Sequence, residues 1–551
     1  MVHNTEPVNN TCTFSSGSLA PMADLRTDET SPFLQRPGSP ALSREEDQRQ
    51  EQHPAAARKL TLVNGLAIVI SLQIGSGIFS VPSQISQFVS APGYGLLAWL
   101  FGGLLVWTGA ASFIELGLRI PNNGGIQEYL RACYGEFAGF LFTWVWCTII
   151  KPAANSMIAT IFADYLTEAF VPDNQPPEPW LSKVVAAGCI VTMTLVNCLG
   201  ATAGAKAANL FLFLKMAALA TIIILGCGVW AFGHGEGVPS SEYGWFGQRP
   251  DQREVGLWEW LGNFGTATFG ALWCYAGWEM VGFVAGDMKN PRRDLPIVIN
   301  GSMMLVITGF MLMNAALYVC LPMTVMQNSS TVAVEFANRV LGSWAGVLFS
   351  VIVSISAMGA LNSNVFATAK LVVVASQRGY FPAFLANLHC SNEKDEAGYV
   401  DEQLSALPRL LGGPIKGFVS WTQNRRWRRN VPIFPLLLNC GLSVVYVVVG
   451  SFNGLVTFIG LAAYMIFFSS AVGLILLRRR DRRAPVAKAA EYRTWLINPI
   501  IFSAISGLLV VRGVITDPLQ GAAILLVALF GLAFFSLRFG LRGFTNRQEA
   551  G

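Results

Sequence analysis

The sequence predicts an all-α polytopic membrane protein of twelve transmembrane helices, built as two inverted five-helix repeats with the first and sixth helices broken. Three observations predict it. Of 551 residues, 53% are hydrophobic and 13% charged, with a mean hydropathy of +0.47, against about 25% charged residues in a soluble domain. Apolar stretches of about 20 residues, the length a helix needs to cross the hydrocarbon layer, recur along the chain. Two of these stretches, five segments apart, are interrupted at corresponding places by small and polar residues.

Taken in order, residues 1–57 carry eight acidic against four basic residues and follow no helical or strand period. They predict a disordered cytoplasmic tail. No basic start followed by an apolar core precedes the membrane domain, so the first membrane helix is expected to direct insertion. The membrane domain is expected over 58–540, with repeats at about 60–232 and 260–450, helices eleven and twelve at about 495–538, and a cytoplasmic tail over 541–551. The twelve apolar segments centre on 64–89, 95–118, 137–166, 183–200, 207–232, 263–288, 297–321, 341–377, 433–450, 454–477, 495–512 and 519–538. An even number places both termini on one side. Lys and Arg concentrate in cytoplasmic connections. With the N-terminus inside, the outer loops hold five of them, Lys183, Arg249, Arg253, Arg339 and Arg512, while the inner loops include the runs Arg425 to Arg429 and Arg478 to Arg483. The sequon at Asn328 then falls in an outer loop, and the one at Asn9 in the inner tail.

The first segment carries Gly75-Ser76-Gly77 mid-run and then Pro82, where glycine weakens a helix most. The sixth carries Trp273-Cys274-Tyr275-Ala276-Gly277-Trp278-Glu279. Paired interruptions are the sequence pointer to an inverted-repeat transporter, in which broken helices present main-chain N–H and C=O groups at mid-membrane. A half-helix N-terminus favours a carboxylate and a half-helix C-terminus an ammonium, the two charges of an α-amino acid. Taken singly, Gly75 and Gly77 also fit close helix packing.

The stretch Leu72 to Phe79 resembles the first-helix signature of the L-type amino acid transporters of the APC superfamily, whose fold is the LeuT type. Tyr275 to Trp278, with Asn290 to Pro296, resembles that family's sixth helix and following loop, and the likeness runs from about residue 60 to about 480. The resemblance implies that N–H groups around Ser76, Gly77 and Ile78, beside Gly75, hold a substrate carboxylate. The carbonyls of Gln73, Trp273 and Ala276, next to Gly277, would receive its amino group. Trp273 stands where the family usually places a phenylalanine that closes over the substrate, which implies a shorter pocket. Tyr464 stands where an aromatic residue can line the side-chain pocket. The ordinary alternative for both is a packed aromatic.

Charge inside the segments is costly and usually functional or paired, and Lys215, Glu279 and Lys151 stand out there. Lys215 sits about 12 to 13 Å into segment five at 1.5 Å per residue. Sodium-independent relatives carry a lysine where sodium-coupled ones hold sodium, which implies a fixed cation bridging helices one, five and eight, with carbonyls near Gly75 and Asn362 or Ser363 as partners. The alternative is a lysine reaching an aqueous vestibule. Glu279 stands where many members are uncharged. It can carry a coupling proton, receive a cationic substrate side chain, or act as a structural acid paired with Lys151, Lys370 or water. Lys151 matches a position where relatives also tend to be basic. Glu115, near the inner end of helix two, reads as interfacial.

Other chemistries find little support. The ten cysteines form no CxxC pair and read as buried hydrophobes. The four histidines fall in the tail or loops, so no metal site, cofactor or Ser-His-Asp hydrolase is expected. The basic residues are spread over loops, giving no nucleic-acid footprint. Animal heteromeric members bond a single-span heavy chain through a cysteine between helices three and four. The loop here, Val171 to Trp180, has none. No disulfide-linked heavy chain is expected, and the chain resembles the fungal single-chain members. The reading is a non-enzymatic, sodium-independent permease for neutral L-amino acids in the plasma membrane, working by proton symport or as an antiporter. The alternatives are a cationic and neutral amino acid exchanger and a nutrient sensor with little transport.

Overall fold

The computed structural model describes residues 62–120, 125–170, 179–199, 202–233, 237–238, 244–247, 256–280, 288, 290–382, 385, 432–483 and 492–548. The tail over 1–57, the outer loop over 171–178 and the basic loop over 390–430 lie outside them. All described residues belong to one compact unit, residues 58–551.

The first apolar segment is two helices, α1 (Leu62–Gln73) and α2 (Gly77–Phe88). The second is α3 (Pro92–Arg119), with Pro92 at its first turn, where a missing N–H costs nothing. A short amphipathic helix, α4 (Ile126–Tyr134), leads into α5 (Glu136–Phe170), which contains a π-turn over Trp146–Ile150. Then come α6 (Pro179–Leu199), α7 (Thr202–Phe232) and α8 (Leu257–Cys274). The second half continues with α9 (Pro291–Cys320), the short α10 (Met323–Asn328) and α11 (Val332–Leu341), α12 (Ser343–Gln377), α13 (Ile433–Val449) and α14 (Phe452–Arg483). Two helices close the chain, α15 (Ile497–Thr516) and α16 (Pro518–Gln548).

Among the described residues, nine helices are long and apolar enough to cross a membrane. The expected spans that fall short are the two interrupted ones and α13, which has 17 residues. The sixth span departs from the expected 263–288. Its helix starts at Leu257 and stops at Cys274, followed by a turn and a single 3₁₀ turn over Trp278–Met280, and 281–287 lie outside the described residues. The last helix departs as well, running ten residues past the expected end at 538. Beyond Leu537 its sequence turns basic, which a helix tolerates once it has left the hydrocarbon.

The core is made where spans from both halves meet. Helix α12 packs along α5, α9 against α3 and α7, α8 against α2 and α3, and α14 against α15. Helix α16 lies outside this core, with only 11% of its apolar window buried, so its Leu519, Leu526 and Phe530 face the surroundings.

Candidate functional site

Both interruptions are real breaks, and they face one cavity. Helix α1 stops because Gly75 donates its N–H back to the Gln73 carbonyl at 2.9 Å, and α2 restarts with Phe79 N–H bonded to Ser76 O at 3.2 Å. The N–H groups of Gly77 and Ile78 therefore precede the first helical bond of α2. Opposite them α8 ends with Tyr275 N–H on Ala271 O and Ala276 N–H on Trp273 O, at 3.0 and 3.2 Å. Gly277 then takes φ +111°, a conformation that favours glycine. The carbonyls of Gln73 and Trp273 thus each spend one lone pair on a turn and keep one.

The cavity encloses about 360 Å³. Its walls come from the first break (Gln73, Gly75, Ser76, Gly77, Ile78) and the second (Trp273, Cys274, Ala276, Gly277, Glu279), with further residues from α5, α7 and α12. The Trp273 indole lies directly on Gly77, where any β-carbon would overlap its six-membered ring, and meets Phe452 edge-on at 6.1 Å. From the breaks the lining extends toward Ser71, Lys215 and Ala367, which is the end of the body where α1 and α7 begin and α12 finishes.

Three charged side chains reach this space. Lys215 is buried and donates from Nζ to the Ser71 carbonyl at 3.0 Å. It joins α7 to α1, with Ser71 in place of a carbonyl near Gly75. Ser363 lines the cavity but bonds Gly359 O. Asn362 is turned away and takes Asn197 of α6 as its partner, Nδ2 to Oδ1 at 2.8 Å, so it does not meet Lys215. Glu279 is buried and its carboxylate accepts the Gly277 N–H at 2.8 Å, bracing the turn that exposes the break. Lys151 shares the cavity with it and donates to Asn364 Oδ1 at 3.0 Å. Lys370 is exposed, with its ammonium 4.4 Å above the Phe366 ring, and does not approach Glu279. Tyr464 does not line the cavity either. It is buried behind α8 among Phe269, Phe467 and Phe502.

A polar chain was missed in the sequence. From Lys151 it continues through Asn364 Nδ2 to Asn155 Oδ1 at 2.6 Å, and from Asn155 Nδ2 to Asn439 Oδ1 and Ser443 Oγ, each at 3.2 Å. It stitches α5, α12 and α13 together. The legible signal was three asparagines inside apolar segments, which need partners there.

The chain matches the amino acid permease family over residues 60–535. The chain belongs to that family. Within it the chain is an L-type amino acid transporter of the APC superfamily, a multi-pass integral membrane protein that transports amino acids. Its relatives include the b(0,+)-type amino acid transporter 1 of Mus musculus, 28% identical over 87% of this chain and 88% of the relative. The cystine/glutamate transporter of Homo sapiens is 26% identical over 90% and 88%. The Asc-type amino acid transporter 1 of Mus musculus is 26% identical over 88% and 81%.

Proposed function

We propose that this permease moves neutral L-amino acids by alternating access, without sodium and without covalent chemistry, binding the substrate between the two breaks. The observation that carries this is the single cavity walled by both interrupted helices. The free N–H groups of Gly77 and Ile78 take the carboxylate at the start of α2. The remaining lone pairs of Gln73 and Trp273, with the Ala276 carbonyl, take the ammonium. Trp273, seated on Gly77 and backed by Phe452, closes one face, so the pocket opens toward the start of α1, the cytoplasmic side in the orientation that the loop charges favour. Lys215 supplies a fixed cation tying α7 to α1, which supports sodium-independent transport.

Glu279 carries the coupling proton. Its carboxylate accepts the Gly277 N–H, and a carboxyl is a weaker acceptor once protonated, so proton uptake loosens the brace on the second break. A second reading is favoured by the same residue: a buried carboxylate in the cavity can accept a cationic substrate side chain, making the protein a cationic and neutral amino acid exchanger. No disulfide-linked heavy chain takes part, both termini face the cytoplasm, and the plasma membrane is the site of action.

The test is uptake into proteoliposomes under an imposed pH gradient, with and without internal amino acid, for wild type and Glu279→Gln. Symport predicts gradient-driven accumulation in wild type that the substitution uncouples. Equal responses remove the proton role. Uptake that requires internal substrate and loses cationic amino acids selectively in the variant favours the exchanger.

A further inference from the structure

A second pocket, about 230 Å³, lies between α5, the start of α6 and the junction of α13 and α14. Helix α5 serves both spaces: Lys151, Ala154 and Ile158 line the central cavity, while Ser156, Thr160 and Asp164 line this one. Phe452 forms part of its wall, and the same ring meets Trp273 on the far side. The pocket is therefore separated from the central cavity by the aromatic pair that covers the breaks. The helix ends around it are outer ones in the orientation that the loop charges favour.

Its chemistry is that of a site for a zwitterion. Asp164 and Lys183 line it with opposite charges, yet each is met by a neutral partner. Asp164 Oδ1 accepts the Ser182 hydroxyl at 2.6 Å, and Lys183 Nζ donates to the Val448 carbonyl at 2.7 Å. Among the described contacts the two do not pair with each other. Ser156 also lines the pocket and is fully buried, and its hydroxyl has no partner among the described residues. Polar groups buried this way are normally satisfied. A carboxylate and an ammonium held apart, with an unspent hydroxyl deeper in, match the amino and carboxylate ends of a small amino acid.

We infer that this pocket is a loading site, where an amino acid rests with its ammonium on Asp164 and its carboxylate on Lys183 before Phe452 and Trp273 admit it to the breaks. The inference rests on the transport reading above. It is tested by equilibrium binding of radiolabelled L-leucine, L-lysine and L-glutamate in turn to the full-length protein in nanodiscs. The variants are Asp164→Asn, Lys183→Gln and Gly77→Val, the last filling the central site against Trp273. The expected result is two molecules bound per wild-type chain for at least one amino acid, and one for each variant. A single site lost in Gly77→Val but kept in both pocket variants overturns the loading site and leaves central binding standing. A single site lost in both pocket variants but kept in Gly77→Val supports the loading site and overturns central binding. No binding of any of the three overturns both.

Discussion

At the scale of single residues, the contact between Trp273 and Gly77 sets the size of what the cavity can hold. The indole occupies the space beside the first break that a β-carbon would need. Trimming it to a phenyl ring vacates volume on the substrate side without disturbing the main-chain groups. Trp273→Phe is expected to shift uptake toward larger side chains, raising the ratio of tryptophan to alanine uptake by roughly tenfold, the scale of one or two methylenes of fit. An unchanged ratio in competitive uptake would remove the indole from the size filter. The two breaks were legible, because Gly-Ser-Gly in an apolar run and a second small-residue interruption five segments later weaken the helix at both places. Side-chain partners were less so. Asn362 and Asn364 lie two positions apart on α12, and which of them faces the cavity depends on how that helix is rotated, which a 35-residue apolar helix does not reveal. Tyr464 failed for a related reason: an aromatic in α14 packs equally well forward into the cavity or back onto Phe502. Glu115 lies near the end of α3, where the interfacial reading placed it, and the two arginines that bury it come partly from α14, which hydropathy does not reveal.

At the scale of an element, α5 shows how a proline creates a functional irregularity. Pro152 has no N–H and its ring cannot tolerate the carbonyl four residues back. The helix answers with the π-turn over Trp146–Ile150, in which Lys151 N–H reaches back to Trp146 O. The Thr148 carbonyl that Pro152 cannot serve accepts the Tyr446 hydroxyl of α13 at 3.1 Å. The turn thereby aims Lys151 into the cavity and ties α5 to α13, and π-turns of this kind recur at functional sites. Tyr446→Phe should strand that carbonyl and lower stability by about 1–3 kcal/mol, read as an earlier thermal unfolding transition of the purified protein. Thermal unfolding unchanged from wild type would show that the carbonyl finds another donor. Pro152 was visible in the sequence, but not the partner that repairs its damage, since Tyr446 is nearly 300 positions away.

At the scale of the whole molecule, two ionic clusters hold the end of the body toward which the cavity extends. In one, Glu115 of α3 meets Arg119 at 2.7 Å, Arg478 of α14 and the Thr494 N–H at 2.9 Å, while Arg119 reaches Asp481 at 2.7 Å. In the other, Glu128 of α4 meets Arg378 beyond α12, and Arg131 and Tyr380 share Glu136 at 3.0 and 2.8 Å. Removing one member of a buried set leaves the others uncompensated, so Glu115→Gln is expected to destabilise by about 3–5 kcal/mol. A melting temperature equal to that of wild type would count against this. In the central cavity Lys151 and Lys215 face one carboxylate among the described residues, Glu279. With all three ionised, the unloaded carrier holds one surplus positive charge deep in the electric field, where a full crossing is worth about 2.3 kcal/mol per 100 mV. Interior-negative voltage should therefore hold the unloaded protein toward the cytosol and slow its return, a brake that electrophysiology on Lys215→Met would find relaxed.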